Sequence, residues 1–157
     1  MGSALLVAGL FLVPPQLQAQ SQLQPQPALA HAGYVMTVRG EAFVTNAGRE
    51  SVAVVGTPVA VGAELKTGAT GSMGVTLRDN TLLSFGPDTE FLLEEFLFAS
   101  EDDAARDAVK FSARLVRGSL NFLSGMIARL KPEAVVLKTP GATIGVRGTH
   151  FAVKVEP

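Results

Sequence analysis

A chain of 157 residues with 47% hydrophobic and 17% charged side chains is long enough to bury one domain core and too apolar to remain disordered. It contains no Cys and no Trp, which excludes a disulfide framework, thiolate metal sites and cysteine catalysis. A net charge of −1 argues against strong non-specific binding to nucleic acid.

The first 38 residues carry no Asp, Glu, Lys or Arg. Ala4 to Val13 is an apolar run closed by Pro14-Pro15. A membrane span needs about 20 apolar residues, so this run is too short to cross and suits the core of a signal peptide. Ala28-Leu29-Ala30 is a small-x-small cleavage signal, and Gln16 to Pro27 is rich in Gln and Pro. Residues 1–30 are therefore expected to be a signal peptide with a disordered leader, and the mature chain is expected to be exported and to hold no transmembrane span. The absence of a basic residue before the apolar run is explained if translation starts further upstream.

From Gly33 the pattern has period two. Tyr34 to Val38 predicts a strand, closed by Arg39-Gly40. Ala42 and Val44 lead to the turn Asn46-Ala47-Gly48, and Ser51 to Val55 predicts a further strand before Gly56-Thr57-Pro58. Met73, Val75 and Leu77 alternate with Gly74, Thr76 and Arg78, which places the first set inward. Asp79-Asn80 predicts a two-residue hairpin turn, with Leu83 and Phe85 inward on the return strand. Phe91-Leu92-Leu93 runs into Glu94-Glu95, which strict alternation would aim to opposite faces. Ser100 to Val109 reads as a short capped helix or a solvated loop. Phe111, Ala113 and Leu115 predict one strand, Gly118 punctuates, and Leu120 with Phe122 predicts another.

Short strands separated by Gly, Pro, Asn and Asp, with almost no 3.6-residue period, predict an all-β single domain over residues 33–157. The strands are expected to be mostly antiparallel, as a rolled sheet or sandwich or as an irregular β-solenoid, with little helix. Gly56, Gly62, Gly68, Gly74 and Gly86 fall on a six-residue grid, which also raises a hexapeptide β-helix. Residues 39–105 hold four Lys/Arg against eleven Asp/Glu, and residues 106–157 hold nine against three. Strands from the two halves are expected to lie together so that these charges cancel locally; the alternative is a basic face for an anionic envelope partner.

Candidate chemistry is sparse. His31 and His150 are the only histidines and lack metal-ligand spacing. His31 is expected near a mobile terminus, and His150 on an outer face opposite Phe151. Glu101, Asp102, Asp103 and Asp107 lack the spacing of a calcium loop. No serine sits in a G-x-S-x-G elbow. The stretch Gly141 to Gly148 is glycine-rich but matches neither phosphate-loop motif and is followed by a strand. No enzyme and no cofactor are expected. Gly145 and Gly148 flank Val146-Arg147, which predicts a bend or bulge that aims Arg147, either to staple neighbouring strands through its five donors or to contact a partner.

Thr139-Pro140 followed by Ile144-Gly145-Val146-Arg147-Gly148-Thr149 resembles the closing motif of the FecR domain family. Gly62 to Gly68, Ser72 to Leu77, Asp79-Asn80-Thr81, Leu83 to Pro87, Gly118-Ser119-Leu120 and Ser124-Gly125 resemble its earlier segments. The likeness covers roughly residues 33–155. It implies an extracytoplasmic, periplasmic bacterial domain without enzymatic activity, acting by contact with envelope proteins in signal regulation or scaffolding. Thr139, Pro140, Gly145, Arg147, Gly148 and Thr149 would be the structural or partner-contact motif. The family commonly continues with a further strand and turn, so Glu156-Pro157 would be a shortened end. The alternative function is a carbohydrate- or peptidoglycan-binding envelope domain.

Overall fold

The computed structural model describes residues 31–98, 108–147 and 150–156. The expected signal peptide and leader, and the short helix or loop expected from Ser100, lie outside these residues, save for Ala108 and Val109. Among the described residues the strands are β1 His31–Arg39, β2 Ala42–Asn46, β3 Arg49–Val52, β4 Pro58–Ala60, β5 Glu64–Thr67, β6 Ser72–Leu77, β7 Leu82–Phe85, β8 Glu90–Leu97, β9 Lys110–Leu123, β10 Val135–Lys138, β11 Thr143–Gly145 and β12 His150–Val155. One five-residue helix, α1 Met126–Leu130, follows β9. The all-β class with little helix is as the sequence predicts.

The strands form one curled sheet that folds over at β9 into two faces. The first runs β4-β1-β6-β7-β9-β12, and the second runs β3-β2-β5-β8-β9-β10-β11. All pairings are antiparallel except β9 with β10. Stacked parallel coils are what a β-helix requires, so this register overturns the hexapeptide reading. The glycines on the grid do different work: Gly56 and Gly62 turn the chain at φ +90° and +82°, while Gly68 and Gly74 lie against Glu41 and Thr37.

β9 is the element that joins the two faces. The expected pair of strands on either side of Gly118 is one strand of 14 residues. Phe111, Ala113 and Leu115 point inward in its first half, but Leu120 and Phe122 do so in its second. The change of phase coincides with a bulge, where Glu90 pairs with Arg117 but Phe91 pairs with Leu115. An extra residue bends the strand and increases its twist. One strand therefore passes from the second sheet to the first and keeps its apolar side on a common core. That core includes Phe91, Phe111, Phe122, Leu65, Leu77 and Leu137, all under 2% exposed.

Two further expectations change for the same kind of reason. The β6–β7 loop is Arg78–Thr81, not two residues: Leu77 N–H donates to Thr81 O and Asn80 N–H to Leu77 O. Only Asn80 takes positive φ, at 65°. On β8 a register shift lies between Leu93 and Glu95, and both Leu93 and Phe96 are buried. The bulge therefore leaves Glu94 and Glu95 together on the outer side, where strict alternation would have separated them. His31 is not beyond the fold but begins β1, paired with Ala60.

The charge asymmetry along the chain resolves within the second sheet, as expected. Glu94 on β8 accepts from Lys138 Nζ at 2.6 Å, Arg114 Nε at 3.0 Å and Ser112 Oγ at 3.0 Å. Glu95 pairs with Lys110 at 2.8 Å and Glu90 with Arg117 at 3.4 Å. Every acid here comes from the acidic half and every base from the basic half.

The Lys138 ammonium is the main cause that lowers the Glu94 carboxyl to about 2, with Arg114 and Ser112 adding to it against partial desolvation. A carboxyl depressed on folding contributes stability above its ordinary value of 4.5 and loses it as the pH falls toward 2. Glu94→Gln should therefore be less stable than wild type near neutral pH, and the difference should close through that window. Urea titrations at a series of pH values read this directly; a constant difference would show that the cluster contributes nothing through its charge.

Candidate functional site

The motif segments are far apart in sequence and meet at two buried polar nodes. At the first, Thr67 Oγ1 donates to Gly86 O at 2.6 Å and accepts from Thr89 N–H at 2.9 Å. Thr89 Oγ1 lies 2.9 Å from Gly86 O and accepts from Ser119 N–H at 3.0 Å. Gly118 has φ +88°, and a Cβ there would overlap the Thr89 Cα and Oγ1. Thr67, Thr89 and Gly118 thus hold the β5 end, the β7–β8 turn and the β9 bend together.

At the second node Asp79 is fully buried. Its carboxylate accepts from Thr81 N–H at 3.0 Å, Thr81 Oγ1 at 2.8 Å and Ile127 N–H at 3.3 Å. Its carbonyl accepts from Met126 N–H at 2.7 Å, and Gly125 N–H donates to Thr81 Oγ1 at 3.1 Å. A Cβ on Gly125 would overlap the Asp79–Thr81 backbone. The β6–β7 loop therefore supplies the acceptors that the first N–H groups of α1 need. From the sequence alone Asp79 is legible only as a turn former. Its one readable signal was Thr81 two residues on, the spacing at which an Asp side chain bonds its own backbone.

The closing motif is a separate, exposed element. Thr139 N–H donates to Ala142 O at 2.8 Å, and Ala142 N–H donates to Thr139 Oγ1 at 3.1 Å, which closes the turn around Pro140-Gly141 between β10 and β11. Val146 is buried and its N–H reaches Val135 O at 3.3 Å. Gly145 lies within β11, paired with Val136, and a Cβ there would meet nothing within 4 Å. The expected bulge or close approach is therefore absent at Gly145, and nothing in the structure explains a glycine there. Arg147 is exposed and makes no ion pair or side-chain hydrogen bond among the described residues. The geometry needed for an arginine staple is not seen. Gly148 and Thr149 lie outside the described residues. His150 begins β12 on the outer face, as expected, and Phe151 stacks on Phe122 with centroids 4.9 Å apart.

β12 pairs with β9 alone among the described residues. Its inward side chains Phe151, Val153 and Val155 touch the core yet remain partly exposed. An open cleft of about 610 Å³ lies beside it, lined by Pro87, Asp88, Arg117, Gly118 and Lys154–Glu156. Its cations are already engaged, Arg117 with Glu90 and Lys154 with Glu156 at 3.2 Å. Among the described residues no group of three or more His, Asp or Glu is placed to hold a metal ion. No helix among them is long and apolar enough to cross a membrane.

Residues 63–157 match the family model FecR, described as FecR protein. The match begins after β4 and takes in both polar nodes and the closing motif. No curated protein and no solved structure matches the chain.

Proposed function

The chain belongs to the FecR protein family, and from that membership we propose a non-enzymatic module of the bacterial envelope that regulates a signal or scaffolds an assembly by protein–protein contact. Residues 1–30 serve as its export leader, residues 33–157 are the exported domain, and its setting is the periplasm. The reading assigns no reaction, cofactor or metal. The observation that carries it is β12: a strand paired on one side, with an apolar row only partly covered. A strand added from a partner would complete its hydrogen bonds and bury Phe151, Val153 and Val155. Thr139 and Pro140 set the β10–β11 turn, and Gly145, Arg147, Gly148 and Thr149 precede β12 in the sequence.

Site-specific photo-crosslinking at Ala152 in living cells tests the proposal. One discrete protein adduct is expected from Ala152, and none from Thr45 on the outer side of the second sheet. Because Arg147 is exposed and without a partner in the described chain, Arg147→Ala should change stability by no more than a typical surface substitution, about 0.5 kcal/mol, and so leave the melting temperature within about 2 °C of wild type. It should also remove the Ala152 adduct. An undiminished adduct in Arg147→Ala would take the arginine out of the contact, and no adduct from wild type would remove β12 as the binding edge.

A further inference from the structure

The two outer faces of the sheet differ in charge. The second sheet carries the ion pairs of Glu94, Glu90 and Glu64 with Arg114, Lys138, Arg117 and Lys66. On the first sheet the strand registers align His150, Leu123, Leu82, Thr76, Tyr34 and Pro58 in one row across all six strands. The neighbouring row is Ala152, Asn121, Ser84, Gly74 and Thr37. Neither row contains an ionised carboxylate, lysine or arginine.

This neutral face is also apolar at its centre. Tyr34, Leu82 and Leu123 are 46%, 41% and 41% exposed, and Met36, at the β1 register shift, is 55% exposed. Leu82, Ser84, Asn121, Leu123 and His150 line a shallow groove of about 270 Å³, large enough to take an aliphatic side chain. Ser84, Asn121 and His150 make no side-chain hydrogen bond among the described residues, so their donors and acceptors are free for a docked surface.

We infer that this face docks a second copy of the same chain, sheet against sheet. Six strands about 4.8 Å apart, crossed by two rows about 7 Å apart, give about 400 Å² in projection, short of the ~800 Å² per partner of a standard interface, which fits a weak association in the micromolar range. A two-fold contact sets the same patch against itself, which an uncharged centre meets without like-charge repulsion. Docking through the second sheet would instead strip ion pairs of water. Arg39 and Lys154 lie at the margin, and Lys154 is already paired with Glu156. At the margin their repulsion is screened by salt. The face takes in the outward side chains His150 and Ala152 of β12 but not that strand's free backbone edge. An Ala152 adduct of twice the chain's own mass that Leu82→Glu abolishes therefore belongs to this face, and an adduct of any other mass that survives Leu82→Glu belongs to the edge.

Sedimentation equilibrium of the purified chain across the micromolar range tests the inference. A monomer–dimer equilibrium is expected. Leu82→Glu and Leu123→Glu should each weaken it by about tenfold or more, since each sets a charge against its own copy in a desolvated centre. Leu82 and Leu123 are partly exposed, so circular dichroism should show both variants folded. Mixing Leu82→Glu with Leu82→Lys should recover dimer, and Glu64→Gln on the other face should leave association unchanged. A chain that stays monomeric throughout, or a dimer indifferent to both glutamates, overturns the inference. So does a monomer whose Leu82 and Asn121 resonances shift on adding chitotriose, because the groove would then belong to a glycan.

Discussion

Asp79→Ala is expected to melt about 10 °C below wild type, a loss of about 3 kcal/mol for a domain of this size. The substitution removes the acceptor for three donors at once: Thr81 N–H, Thr81 Oγ1 and Ile127 N–H. Asp79 is fully buried, so water does not replace the lost bonds without opening the node. Asp79→Asn should fall between the two, because its amide keeps one acceptor but turns a donor toward donors. Thermal unfolding followed by circular dichroism measures the series. A shift under about 2 °C for the alanine variant would mean that the loop and α1 do not depend on this carboxylate.

Gly118→Ala should be comparably damaging for a different reason. The backbone is at φ +88°, and the added carbon collides with Thr89, which accepts the Ser119 N–H. Strain in such a conformation costs about 1–2 kcal/mol, and displacing a buried hydroxyl adds about as much again. Gly62→Ala supplies the comparison, since Gly62 has a similar φ of +82° but open space around its missing Cβ. It should cost only the backbone share, about 1 kcal/mol. Equal losses at the two positions would show that the contact with Thr89 is unimportant.

What was legible in the sequence was local and periodic. Met73, Val75 and Leu77 declare their inward face through alternation, and they are buried as expected. The pairing of acidic with basic strands followed from charge bookkeeping along the chain. What was not legible depends on bulges and long-range contacts. Glu94 and Glu95 share a side because β8 slips against β9, and nothing in the six letters around them records that slip. Gly118 read as a break between strands because a glycine with positive φ usually ends one, yet here it bends a single strand that continues. Asp79 meets Ile127 across 48 residues, beyond any periodic signal. The closing motif was found by resemblance, but its most conspicuous side chain, Arg147, faces outward rather than into the fold.

The placement of β9 bears on how the molecule forms. It begins at Lys110, and β8, β7, β10 and β12 all pair with it. Until β9 is made, β7 and β8 each lack a neighbour, and neither sheet can close over the shared core. Pairings this distant in sequence fold slowly, on the order of milliseconds to seconds. Neither sheet has a core of its own, so the domain should unfold as one cooperative unit. The amides of Ala113 and Leu120, in the two halves of β9, should then exchange with solvent at one common rate, set by global unfolding. Separate rates for the two residues would reveal two units where the shared strand implies one.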